Sequence, residues 1–203
     1  IDLQGTKTEL FLPKFGKVTE CMQFEHLIQL GYEDIARLMV VSKSMDIDKR
    51  DDGGLHPLLH AVYCPQMIEV VKSLIVAGAD VNQVASHGGS ALFLACCLGH
   101  LQMVDSLVKA GADPNKHNFG DSVGLTPLLG ACNNSQLKVV ECLLIAGADI
   151  DKPRLDNATP LAMACTTGYA ELEKCLITHG ADLNHGNNMS YTSLYAACQE
   201  GKL

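Results

Sequence analysis

The amino-acid sequence predicts an all-α solenoid, in which short helix pairs stack side by side and are joined by hairpin-like loops. Two motifs point to this fold because they recur at a common period. Gly-Ala-Asp begins at Gly78, Gly111, Gly147 and Gly180, at separations of 33, 36 and 33 residues. A second motif, Thr-Pro-Leu or a variant of it with leucine in third place, recurs in phase with the first. Its copies begin at His56, Ser90, Thr126, Thr159 and Thr192. Two independent motifs in phase at about 33 residues are typical of stacked helical repeats.

The elements of one repeat follow from residue chemistry. Thr126 is a good N-cap, because its hydroxyl can accept a hydrogen bond from the first helical turn. Pro127 then occupies the first helical position, where a missing N–H costs nothing. A first helix is expected over 128–132 and a second, with apolar residues at helical spacing, over 137–145. Gly147 supplies the left-handed residue that ends the second helix.

These residues resemble the ankyrin repeat, whose pattern reads Gly-x-Thr-Pro-Leu-His-x-Ala-Ala-x-x-Gly-His, then a second helix, then Gly-Ala-Asp-x-Asn. The resemblance covers about residues 50–203. It divides the chain into an N-terminal arm or lead-in at 1–19, a degenerate capping repeat at 20–49, and repeats at 50–82, 83–115, 116–151, 152–184 and 185–203, the last truncated.

The chain departs from this pattern at the histidine of the Thr-Pro-Leu-His box. Five other residues occupy the position of this histidine, namely Leu59, Phe93, Leu129, Ala162 and Tyr195. We therefore expect side-chain packing to stabilise these positions, where the family pattern has hydrogen bonds of the histidine.

Charge and cysteine content narrow the class of protein. The chain has 15 Lys and Arg against 23 Asp and Glu, a net charge of −8, which disfavours a nucleic-acid partner. No apolar run is long enough for membrane insertion.

Nine cysteines would suggest a disulfide framework in a secreted domain. Six of them instead fall into two registers of the repeat, which are Cys96, Cys132, Cys165 and Cys198, and Cys142 and Cys175. They are interpreted as core thiols of a cytoplasmic, or nuclear, protein.

The sequence predicts no catalytic, cofactor or metal site. His56 and His60 share one helix at i and i+4, but no Glu completes a zinc motif, so they are interpreted as a polar cap and surface histidine. Cys96, Cys97 and His100 lack a second ligand pair. No phosphate-binding loop or nucleophile elbow occurs. The protein is therefore not expected to be an enzyme.

The resemblance also implies a modification site. The ankyrin family includes substrates of asparaginyl hydroxylation at the Asn of Gly-Ala-Asp-Val-Asn. Asn82 matches best, with Val81 before it and Leu74 eight residues earlier. The alternative is that Asn82 is a turn residue that bonds its own backbone.

The resemblance places a partner-binding surface on the concave face of the array. The two positions after the small residues of each first helix would point into this groove, together with residues of the loops. The candidates are Asp51, Asp52, Leu55, Tyr63, His87, Leu98, Phe119, Asp121, Leu125, Asn133, Asn134, Arg154, Asn157, Thr167 and Tyr191. Mixed aromatic, aliphatic and amide residues suit protein recognition.

The sequence therefore predicts a monomeric protein–protein interaction scaffold or adaptor that captures a peptide or domain, with a basic partner favoured by the net −8. The alternative is a segment of a larger protein, either the cytosolic part of a channel or the substrate-recognition arm of a ubiquitin ligase.

Overall fold

The computed structural model describes residues 24–43, 45–86, 88–118 and 124–199, and the backbone of two short strands before them. The strands are β1, Phe11–Leu12, and β2, Gly16–Lys17, which pair antiparallel with Phe11 opposite Lys17. The rest of the arm predicted at 1–19 lies outside the described residues.

Eleven α-helices make up the regular structure of residues 24–199 as described. They are α1 Phe24–Gln29, α2 Glu33–Val41, α3 Pro57–Tyr63, α4 Ile68–Ala77, α5 Ala91–Leu98, α6 Leu101–Lys109, α7 Pro127–Asn133, α8 Leu137–Ile145, α9 Pro160–Thr167, α10 Ala170–Thr178 and α11 Ser193–Gln199. A short 3₁₀ turn, Pro65–Met67, precedes α4. Among the described helices none has the length and apolar character needed to cross a bilayer.

The helices form two layers. The first helix of each pair packs on the next first helix, in the order α1, α3, α5, α7, α9 and α11, and the second helices stack likewise from α2 to α10. Leucines at matching positions fill the space between the layers. They are Leu58, Leu92, Leu128 and Leu161 on first helices, and Leu74, Leu107, Leu143 and Leu176 on second helices. The predicted all-α solenoid is confirmed.

The predicted helix signals act as expected. Thr126 Oγ1 accepts a hydrogen bond from Leu129 N at 3.2 Å, and Thr159 Oγ1 accepts one from Ala162 N at 3.3 Å. Gly147 has a φ of 85°, in the left-handed region where a Cβ is strained. The cap residues and the terminal glycine therefore define where these helices begin and end.

His56 corrects one expectation. It stands at the N-cap position of α3, but its ring is fully buried and makes no cap hydrogen bond. Its Nε2 lies 3.3 Å from Gln83 O in the next loop, and its Nδ1 has no hydrogen-bond partner among the described residues. The interpretation as a cap residue was wrong, because an imidazole is large enough to reach the neighbouring repeat.

Of the six cysteines interpreted as core thiols, three are buried, Cys142 and Cys175 are half-buried against the core, and one is exposed. Cys96, Cys132 and Cys165 are buried, as expected of core thiols. Burial raises the pKa of Cys165 to about 11, and burial also raises the pKa of Cys96. Cys198 is exposed, contrary to expectation, because no helix of the described residues packs beyond α11.

Candidate protein-binding surface

The exposed ends of the first helices form a row along the stack. Tyr63 ends α3 and is 47% exposed, and Leu98 ends α5 and is 42% exposed. Asn133 ends α7 and is also exposed. Because these helices pack side by side, their ends lie in sequence along one face, which we call the first-helix face. It comprises these helix ends and the loops that precede the first helices.

Two other predicted residues of the first-helix face bond to their own helices. Asn134 Nδ2 donates to Gly130 O at 2.9 Å. Thr167 Oγ1 donates to Ala164 O at 2.8 Å, and its side chain is half-buried. These groups satisfy carbonyls near helix ends, so each has a structural role besides any contact with a partner.

The loop before α3 is organised by Asp51. Its Oδ1 accepts a hydrogen bond from Leu55 N at 2.8 Å, and its Oδ2 lies 2.8 Å from His60 Nε2. Burial raises the pKa of Asp51, but the hydrogen bonds from Leu55 and His60 outweigh it and the net pKa lies below its ordinary value. Asp52 is exposed, whereas Leu55 is half-buried against the core.

In the loop before α9, the predicted partner-binding residues Arg154 and Asn157 make contacts within the protein. Arg154 Nε and Nη2 both donate to the Asp156 carboxylate, each at 2.6 Å. This bidentate pairing with Arg154 lowers the pKa of Asp156. Asn157 has a φ of 68°, and its Nδ2 donates to Gly186 O at 3.0 Å in the following loop. Arg154 and Asn157 therefore shape this loop, and half of each side chain or less is open to a partner.

Leu125 and Tyr191 occupy the remaining described loop positions. Leu125 is half-buried, and its backbone pairs with Asn118 in a short antiparallel bridge. Tyr191 stacks on Tyr195, with ring centroids 4.0 Å apart. The predicted residues His87, Phe119 and Asp121 lie outside the described residues.

Successive loops also contact one another. Ser86 N donates to Gly54 O at 3.2 Å, and Asn188 N donates to Asp156 O at 3.0 Å. A Cβ on Gly124 would lie 2.7 Å from Leu155 Cγ. These contacts link the described parts of neighbouring loops along the first-helix face.

Of two residues beside Asp51, Glu25 was missed from the sequence as a candidate for a site, and His60 was considered only together with His56 and interpreted as a surface histidine. Glu25 lies on α1 and His60 on α3, and their ligand atoms lie close to those of Asp51. They come from different repeats and follow no common period, so the repeat pattern carried no signal for them. His60 and His56 contact different partners, Asp51 and Gln83.

Asn82 is a turn residue whose own N–H donates to Asp80 Oδ1 at 2.9 Å. Its side chain reaches the next repeat, where its Nδ2 donates to Gly111 O at 3.0 Å. Hydroxylation of Asn82 stays a prediction.

Comparisons with known proteins agree with this geometry. The profile of the family described as ankyrin repeats (3 copies) matches residues 58–154 and 128–203. The chain belongs to the ankyrin repeat family.

Two curated relatives give the scale of the similarity. The human "SH3 and multiple ankyrin repeat domains protein 1" is 32% identical over 128 residues, which cover 62% of this chain and 6% of that protein. The human "Ankyrin repeat domain-containing protein 63" is 32% identical over 130 residues, which cover 63% of this chain and 30% of that protein. The matched part of the chain thus spans less than a third of either relative. Ankyrin repeats are generally protein-interaction modules.

Proposed function

We propose that this array is a scaffold or adaptor module that captures a peptide or domain of a partner protein on its concave side, which we assign to the first-helix face. One observation carries the proposal. Tyr63 and Leu98 are exposed at the ends of neighbouring stacked helices, where the fold itself does not bury them. Aromatic side chains are enriched at the centres of protein interfaces, and an adjacent aliphatic side chain extends the apolar contact.

Charge supports a basic partner segment. The chain carries a net −8, so a cationic peptide would be attracted over a long range. On the first-helix face, Asp52 is exposed at one end of the described array. Arg154 is the predicted cation of this face, and its charge is already paired with Asp156. Arg154 therefore adds no unpaired positive charge to the first-helix face.

The function proposed is recognition and not catalysis. The groups that organise the face are hydrogen-bonded to backbone or paired within their own loops, as with Asn134 and Arg154. These contacts fix the shape of the first-helix face, to which a partner protein can bind.

Affinity capture with two matched double variants tests the proposal. Tyr63→Ala/Leu98→Ala changes the first-helix face, whereas Val76→Ala/Ile145→Ala removes two exposed apolar side chains from second helices. Partners captured by the unchanged chain are identified by mass spectrometry and then measured against both variants. We expect loss of binding only in the first variant, with the same melting temperature in both, because exposed substitutions change stability little. Loss in both variants, or in the Val76/Ile145 variant alone, would place the binding surface elsewhere.

A further inference from the structure

Three side chains with metal-binding atoms converge at one end of the described helix stack. Glu25 belongs to α1, Asp51 to the loop before α3, and His60 to α3 itself. One ligand atom from each residue lies within 4.8 Å of the other two. The cluster thus joins the first helix pair to the second.

Asp51 and His60, two of the three members of the cluster, are preorganised by the fold. Asp51 Oδ1 is held by Leu55 N at 2.8 Å, which directs Oδ2 towards His60 Nε2, also at 2.8 Å. The side chains of His60 and Asp51 are only 12% and 21% exposed. Little rotamer freedom therefore remains to be lost when a further ligand binds these atoms.

The three side chains share an open cavity of about 550 Å³. The cavity gives solvent access to the ligand atoms and leaves room for a water molecule beside them. Its wall carries four carboxylates against two side-chain cations, namely Glu25, Asp46, Asp51 and Asp52 against Lys49 and Arg50. This surplus of negative charge favours a cation.

We propose that Glu25, Asp51 and His60 form a zinc site that links the first two helix pairs. Three protein ligands from imidazole and carboxylate groups, with water as the fourth, fit the tetrahedral coordination of Zn²⁺. The imidazole nitrogen argues against Ca²⁺ and Mg²⁺, which take oxygen ligands. Two carboxylates also balance the charge of a divalent ion. This inference does not depend on the proposed partner binding.

Metal binding requires a small rearrangement. Zinc takes the place of the proton between His60 Nε2 and Asp51 Oδ2. Neutral His60 then binds through Nε2 as the tautomer that is protonated at Nδ1, so no proton is released. With both ligands about 2.0–2.1 Å from a tetrahedral ion, their separation opens to roughly 3.3 Å. The separation in the described structure is 2.8 Å, so the side chains move apart by a few tenths of an ångström.

Zinc bound at this site would stabilise the packing of the first helix pair on the second. α1 packs on α3, and a zinc ion bound to residues of both would add a second link between them. An ion that binds the folded state alone stabilises it, and here the gain falls on α1 and the loop before α3.

Titration with zinc chloride tests the site. The chain is stripped with EDTA, kept reduced, and titrated by calorimetry beside Glu25→Gln and His60→Gln. Each variant is expected to bind zinc at this site with an affinity lower by about 100-fold, because loss of a ligand exceeds the 10–100-fold cost of losing an outer-shell partner. His179→Gln is the matched control, since His179 is an exposed histidine at the end of α10, away from this cavity.

Cysteines require their own control, because thiolates also bind zinc. Cys64→Ser removes the thiol at the end of α3 and is expected to leave the site intact. Hydrogen exchange gives a second readout, in which zinc slows exchange in α1 of the unchanged chain and of Cys64→Ser but not of Glu25→Gln. Equal zinc binding by the unchanged chain and both ligand variants would overturn the proposal, as would loss of binding in Cys64→Ser alone.

Discussion

The side chain of Asn82 accepts a hydrogen bond from the backbone N–H of Asp113, 31 residues along the chain, at 2.9 Å. The same contact recurs at three other repeat junctions. The other pairs are Asp48 with Asp80 N at 3.1 Å, Asn115 with Asp149 N at 2.7 Å, and Asp151 with Asp182 N at 2.9 Å. This ladder links each loop to the next, in addition to the packing of the helices.

Asn82→Ala should destabilise the array. It removes the bond to Asp113 N and the bond from Asn82 Nδ2 to Gly111 O. Two hydrogen bonds at about 0.5–1.5 kcal/mol each predict a loss of about 1–3 kcal/mol in the free energy of unfolding. Urea unfolding of the variant and of the unchanged chain measures this loss of stability. Asn133→Ala is the control, an exposed amide at the end of α7. Equal effects of the two variants would show that the ladder contributes nothing.

The buried ring of His56 predicts a pH dependence of stability. Burial lowers the pKa of His56 below its ordinary value of 6.5, against the opposing hydrogen bond to Gln83 O. The charge of Arg50 lowers it further, while Asp48 and Asp80 raise it. As pH falls below 6.5, the unfolded chain takes up a proton that the folded chain does not, so stability decreases towards acid pH.

His56→Thr should reduce this dependence. A single histidine changes the free energy of unfolding by at most about 1.4 kcal/mol per pH unit, and threonine has no group that titrates in this range. Unfolding at pH 7.5 and 5.5 is compared for both chains, so that the other titrating groups cancel. An unchanged difference between the two pH values would rule out His56 as the source.

Gly130→Ala should destabilise the protein although Gly130 lies inside α7. In an ordinary helix this change stabilises by up to about 1 kcal/mol. Here the new Cβ would lie 2.8 Å from Cys97 Sγ and 3.0 Å from Phe93 Cε2 on α5. Overpacking predicts a net loss of about 1–3 kcal/mol. Cys97→Ala should relieve part of it in a double-mutant cycle, and a stabilising Gly130→Ala would contradict the close approach of α5 and α7.

Thiol alkylation should separate the cysteines by burial. Cys198 is exposed, whereas Cys96 and Cys132 are buried with their pKa raised, so the reactive thiolate is scarce and inaccessible there. Iodoacetamide is therefore expected to label Cys198 well before the other two, as read by peptide mass spectrometry. In urea all three should react alike. Fast labelling of Cys96 in the folded chain would contradict the core position of its register.

Local signals made the fold predictable. Thr126, Thr159 and Gly147 act within a single helix turn, so their chemistry can be recognised without knowledge of the neighbouring repeats. The burial of Leu128 and Leu161 follows equally from the repeat period.

Contacts between repeats were less accessible to sequence reasoning. His56 was expected to cap α3, whereas its ring contacts Gln83 in the next loop. Glu25 meets Asp51 and His60 only because α1 packs on α3, and no period connects it to them. Arg154 was expected to face a partner but pairs with Asp156 two residues away. The contacts of His56 and Glu25 depend on side-chain reach across a packed junction, and the contact of Arg154 depends on the local shape of its loop. Residue spacing encodes neither.

Site-specific photo-crosslinking tests the central claim, that the first-helix face captures a protein partner. A benzophenone amino acid replaces Tyr63 in one chain and Val76 in another, where Val76 is 88% exposed on α4. A partner bound on the first-helix face should form adducts with the probe at position 63 and not with the probe at position 76, and Leu98→Ala should weaken those adducts. Adducts at position 76 in place of position 63 would contradict the account.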